Sequence, residues 1–119
     1  MTQDRLLRLL GLGVRGRGAV VGVERVREAA LKGTLVLAVV APDASRHSLE
    51  KVRPLLRARG VPVVDGPGAS ALGHAVGREA TAVVGVLDPN LANGIQRMLG
   101  ASPMGGDANG APGGARPEG

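Results

Sequence analysis

Gly11, Gly13 and Gly16 stand at the G-x-G-x-x-G spacing of a phosphate-cradling loop. In a dinucleotide site that loop follows a strand and opens a helix, with an acid about 20 residues further on. Here the residues before Gly11 have helical spacing, and those after Gly16 are again glycine-rich. The sequence therefore predicts a basic loop over 11–18, carrying Arg15 and Arg17, and a nucleotide-dependent enzyme is the remotest alternative. Other chemistry is thinly supplied. There is no cysteine, which excludes disulfides, zinc–thiolate sites, iron–sulfur clusters and thiol catalysis. His47 lies beside Arg46 in a polar turn, and His74 lies on a short helix opposite Leu72, Ala75 and Val76, so both are expected at the surface. Asp43, Glu50, Asp65, Glu79 and Asp88 come singly, without a close pair for acid–base work or a metal-ligand spacing. Ser45, Ser48, Ser70 and Ser102 lack a nucleophile-elbow context. No catalytic residue, metal, cofactor or small-molecule substrate is expected.

Positive charge is the feature left to explain. The chain has 15 Lys and Arg against 10 Asp and Glu, a net charge of +5. Thirteen of those bases are arginine. A GC-rich genome favours arginine over lysine, but it does not create an excess of bases over acids. That excess points to an anionic partner, nucleic acid first. Arg15 and Arg17 precede a helix that starts near Gly22-Val23 and carries Arg25, Arg27 and Lys32. A helix N-terminus presents free N–H groups and the positive end of a dipole, which suits phosphate. Gly22 lets a backbone come near without a side-chain clash. Glu24 and Glu28 favour the helix yet repel phosphate, and Glu24–Arg27 and Glu28–Lys32 have the spacing of ordinary surface ion pairs. The absence of Phe, Trp and Tyr argues against the stacking platforms used on single strands.

These residues need elements to hold them. The 119 residues support one domain, with a core of Val, Leu, Ala and Ile. Leu6, Leu7, Leu9 and Leu10 predict a first helix over 3–11. A short strand follows at 19–21, then a helix over 23–32 stopped by Gly33. The apolar runs LVLAVVA (35–41) and ATAVVGVL (80–87) predict strands buried on both faces, and 61–65 a further strand. Pro54 would interrupt a helix, so the segment after Asp43 or Ser45 is expected as a short helix or turn over 46–52 and a second helix starting near Pro54. Helices are also predicted over 69–76 and from Pro89 to Leu99. Helices between buried strands imply an α/β fold, a three-layer α/β/α sandwich around a central four-stranded mixed sheet. Residues 1–100 form this domain. Residues 101–119, with six Gly and three Pro, are expected to be a disordered tail. No apolar run approaches the ~20 residues of a membrane span, and the N-terminus lacks a signal-peptide pattern, so a cytoplasmic location is the default.

Several strings, in this order, resemble the superfamily of kink-turn RNA-binding ribosomal proteins, the L-seven-Ae and L-thirty-e type. They are Gly22…Val26…Ala29…Gly33 followed by LVLAVVAPDAS, Pro54-Leu55-Leu56…Gly60-Val61-Pro62, Leu72-Gly73…Ala75…Gly77, and GREATAVVGVLD at 77–88. The last looks closest to the bacterial ribosomal-protein-like branch. The resemblance covers residues 3–99. It implies a non-enzymatic protein bound to structured, sharply bent RNA, with the ribosome as its setting. The family places that RNA on the loop and N-terminus of its second helix, where Gly-Thr-Asn-Glu is followed by a lysine. Gly22 matches, whereas Val23, Glu24 and Arg25 stand for Thr, Asn and Glu, and Glu28 for the lysine. By that resemblance Glu24 would accept from a guanine edge and Arg25 would reach guanine O6/N7 or a phosphate. An extruded nucleotide would rest on Arg78-Glu79-Ala80-Thr81. The expected RNA face is Arg15, Arg17, Gly22, Val23, Glu24, Arg25, Arg27 and Arg78. A protein–protein interaction module is the alternative, since some members of the superfamily act in signalling.

Overall fold

The structure, a computed structural model, describes residues 2–100; the tail expected over 101–119 lies outside the described residues. The elements are α1 (Thr2–Arg15), β1 (Ala19–Val21), α2 (Val23–Lys32), β2 (Leu37–Val40), α3 (Arg46–Ala58), β3 (Val63–Asp65), α4 (Ala69–Ala75), β4 (Val83–Val86) and α5 (Pro89–Gly100). The four strands form one sheet in the order β1-β4-β2-β3. β4 runs antiparallel to both β1 and β2, and β2 runs parallel to β3. The sheet is thus mixed, as expected.

The apolar runs that predicted doubly buried strands become β2 and β4, the two central strands, whose residues are all buried. Alternation sends successive side chains to opposite faces. Leu37, Val39, Val84 and Val86 pack with Leu6, Leu10, Leu72 and Ile95, so α1, α4 and α5 cover one face. Ala38, Val40 and Val83 pack with Val26, Ala30, Val52 and Leu56, so α2 and α3 cover the other. Each fully buried Val or Leu contributes about 1.5–3 kcal/mol, which lets a core without aromatic rings hold three layers. The strands are shorter than the apolar runs, but the pairing continues past their ends through Val36 N–H to the Val86 carbonyl and Ala41 N–H to the Ala82 carbonyl.

Two expectations fail. The basic loop over 11–18 is largely helix, because α1 continues through Gly11 and Gly13 to Arg15. Those glycines serve close packing. A Cβ at Gly11 would lie 2.7 Å from the Ala75 carbonyl oxygen, and one at Gly13 would collide with the Leu91 side chain. With helix before and through it, the G-x-G-x-x-G string is no nucleotide loop. The second failure is α3, which is one helix from Arg46 to Ala58 with Pro54 inside it. The carbonyl that proline deprives of a partner belongs to Glu50, and both residues are exposed, so water can satisfy it. Val52 and Leu56 are wholly buried on the opposite side and hold the helix to the sheet.

Caps fix the helix starts. Ser45 Oγ accepts from Ser48 N–H at 3.1 Å. Asp43, the other candidate there, instead accepts from Ala69 N–H at 2.7 Å and so caps α4. Asp88 Oδ1 accepts from Asn90 N–H at 2.9 Å at the start of α5.

Candidate nucleic-acid interface

β1 is an edge strand, so the segments that enter and leave it lie at the rim of the sheet. The entering segment is the exit from α1. There Gly18 N–H bonds to the Gly13 carbonyl (2.7 Å) and Arg17 N–H to the Val14 carbonyl (3.1 Å). The same pair of bonds closes α2 at Gly33 and Thr34, α3 at Gly60 and Val61, and α4 at Gly77 and Arg78. In those three helices the left-handed residue is a glycine, with φ of 77°, 69° and 81°. At α1 it is Arg17, with φ 64°. A residue with a Cβ pays about 1–2 kcal/mol for that conformation. Gly18 then ties the turn down, because its carbonyl accepts from Leu87 N–H (2.8 Å) and Asp88 N–H (3.2 Å).

The leaving segment is Gly22 and the start of α2. Gly22 has φ 97° and ψ 160°, a backbone conformation open essentially to glycine alone. A Cβ there would meet nothing within 4 Å, so the backbone angles, and not space, require the glycine. Its N–H bonds to the Val83 carbonyl and its carbonyl accepts from Val26 N–H, both at 3.0 Å. No side chain caps α2. Among the described residues, the amides of Val23, Glu24 and Arg25 have no protein partner. They form an open cluster of donors at the positive end of the helix dipole.

Three arginines gather beside these two segments. A groove of about 390 Å³ along β1 is lined by Arg17, Arg25 and Arg78 together with Val14, Ala19 and neighbouring β1 residues. The arginines come from the α1 exit, the first turn of α2 and the segment that follows α4. Among the described residues none of the three pairs with a carboxylate; the ion pairs are Lys32–Glu28, Arg46–Glu50 and Arg53–Asp65. Glu28, which stands where the resembled family has a lysine, is thus engaged by Lys32 at 3.4 Å. Glu24 is exposed and does not pair with Arg27.

The other expected residues fall elsewhere. Arg15 lines a second groove, between α1 and α4, with Arg8, Leu12 and His74. Arg27 turns to α3, where its guanidinium donates to the Lys51 carbonyl. Thr81 is buried and its hydroxyl donates to the Val83 carbonyl at 3.1 Å. Both histidines are exposed. Sequence reasoning did not single out Arg8 or His74 as site residues. The signal for Arg8 was its spacing from Leu12 and Arg15, four and seven residues, which puts all three on one face of α1. Among the described residues no group of three His, Cys, Asp or Glu could hold a metal ion, and no helix is long and apolar enough to cross a membrane. What the arrangement offers chemically is a set of fixed positive charges and backbone donors for an anion.

Comparison with known proteins returns the same architecture. The model of the ribosomal protein L7Ae/L30e/S12e/Gadd45 family matches residues 4–95. The chain is 32% identical over 91 residues to RNA-binding protein YlxQ of Bacillus subtilis, covering 76% of this chain and 91% of that protein. Among solved structures, a Bacillus halodurans protein of unknown function superposes with a TM-score of 0.72 at 29% identity, over 79% of this chain and 95% of that one. The Giardia lamblia 15.5kD RNA binding protein superposes with a TM-score of 0.69 at 23% identity, over 84% of this chain and 86% of that one, a likeness of fold.

Proposed function

Because the chain belongs to the ribosomal protein L7Ae/L30e/S12e/Gadd45 family, we propose that it is a non-catalytic RNA-binding protein whose β1 edge holds structured, kink-turn-like RNA, ribosomal RNA included. The observation that carries this reading is the convergence of Arg17, Arg25 and Arg78, without carboxylate partners among the described residues, around the uncapped start of α2. A sharply bent RNA crowds its phosphates together, and clustered guanidinium groups with open amides answer that crowding. The match to a relative named as RNA-binding supports the same reading. In it, the arginines and amides set affinity, while Glu24 and Arg25 supply base preference at a guanine edge. Arg27, held at α3, plays a smaller part than the other three.

The test is binding to a kink-turn RNA and to the same sequence closed as a plain duplex, each across a salt series. Kink-turn binding should exceed duplex binding, and log affinity should fall linearly with log salt. Glu24→Gln should narrow the preference while leaving the salt slope unchanged. Equal affinity for the two RNAs would remove kink-turn specificity. No retention of either RNA would defeat RNA binding and favour an interaction module for proteins.

A further inference from the structure

The second groove has no role in that reading. It lies between α1 and α4, has a volume of about 470 Å³, and carries Arg8 and Arg15 from α1 and His74 from α4. None of its lining residues is acidic, and neither arginine has a carboxylate partner among the described residues. The two arginines are seven residues apart, hence on one face of α1 and about 10 Å apart along its axis. Between them stands Leu12, 54% exposed and one of only two large apolar side chains so exposed among the described residues. The helices approach closely here, with Gly11 against the Ala75 carbonyl. The two grooves draw on the same chain segments. Val14 lines the first and Arg15 the second, both at the end of α1, while His74 of α4 lines the second and Arg78, just past the end of α4, lines the first.

We infer that the α1/α4 groove takes the phosphate backbone of an RNA stem flanking the folded element held at β1. This rests on the RNA-binding reading above. A row of guanidinium groups on one helix face suits a backbone strand and carries no base information. The narrow, deep major groove of an A-form stem excludes side chains, so the contact is to phosphates and 2′-hydroxyls at the stem's surface. Leu12 gives the sugar edge an apolar shelf between the two charges.

The experiment compares full-length protein with its Arg8→Gln/Arg15→Gln variant on two kink-turn RNAs, one with long flanking stems and one with the stems trimmed. On the long RNA the variant should bind about tenfold more weakly, and its salt slope should fall by about 1.4–1.8 for two lost phosphate contacts. On the trimmed RNA the two proteins should bind alike. Arg8→Lys/Arg15→Lys should recover most of the loss. An equal loss on both RNAs, or a loss on neither, overturns the assignment; no loss on either leaves an acidic protein segment as the better occupant. The two readings fail separately. If both RNAs bind the wild-type chain and are lost on charge reversal at Arg17, Arg25 and Arg78, while the groove variant behaves as wild type, only the groove assignment falls. If the wild-type chain binds neither RNA, the β1-edge reading falls first.

Discussion

On the α2/α3 side of the molecule, four basic side chains are engaged, while Lys51, Arg57 and Arg59 have no carboxylate partner among the described residues. Lys32, Arg46 and Arg53 each have a carboxylate within 3.3–3.6 Å, and Arg27 has a backbone carbonyl. At the β1 edge, Arg17, Arg25 and Arg78 share one groove and have no carboxylate partner among the described residues. The helix ends differ in the same direction. α2, α3 and α4 close on glycine, whereas α1, which delivers the chain to β1, closes on an arginine in the left-handed region. Exposed ion pairs contribute little, about 0–1 kcal/mol each, so what sets the β1 edge apart is the gathering of three arginines in one groove. Crowded like charges and a left-handed arginine both cost stability. Under the proposed function, the RNA is what offsets both costs.

The contrast can be broken directly. Reversing all three charges at the β1 edge (Arg17→Glu, Arg25→Glu, Arg78→Glu) should weaken kink-turn RNA binding about a hundredfold, as three lost phosphate contacts would. The matching reversal on the α2/α3 side (Lys32→Glu, Arg46→Glu, Arg53→Glu) should change it less than about threefold at moderate salt. Similar losses on both faces, measured by filter binding with circular dichroism to check the fold, would erase the distinction. Next in size is Gly22→Ala, which forces a Cβ into a glycine-only conformation. It should cost about 1–3 kcal/mol in urea denaturation and weaken RNA binding with it. The smallest effect is the sharpest. Arg17→Gly should raise stability by about 1 kcal/mol while lowering RNA affinity severalfold. A variant with both properties unchanged would mean that the left-handed arginine is incidental.

Much of the architecture was readable from local pattern. The runs LVLAVVA and ATAVVGVL pointed to buried strands and Gly33 to a helix stop, because those features act within a few residues. The glycines of α1 misled because loop glycine and packing glycine look alike in sequence. Only the tertiary neighbours, the Ala75 carbonyl and Leu91, tell them apart. Pro54 misled because its penalty depends on which side of α3 faces water, and that follows from the burial of Val52 and Leu56. Strand order is non-local, and no spacing in the chain sets β4 between β1 and β2. For the candidate site, Gly22 and the arginines around it were visible as a cluster along the chain. Arg25 and Arg27, two residues apart, point some 200° apart on a helix, so grouping them by proximity was too coarse. Arg78 entered through the family resemblance, since some sixty residues separate it from Arg17.

The sheet order has a further consequence for a chain emerging from the ribosome. Among the described residues β4 is the last strand made, yet it joins β1 to β2. A nascent polypeptide halted before Val83 can pair β2 with β3, but leaves β1 without a neighbour. Its Gly22 amide then has no Val83 carbonyl to hold the turn. A chain cut short before Val83 therefore lacks an assembled arginine groove, however well its β2–β3 half has paired.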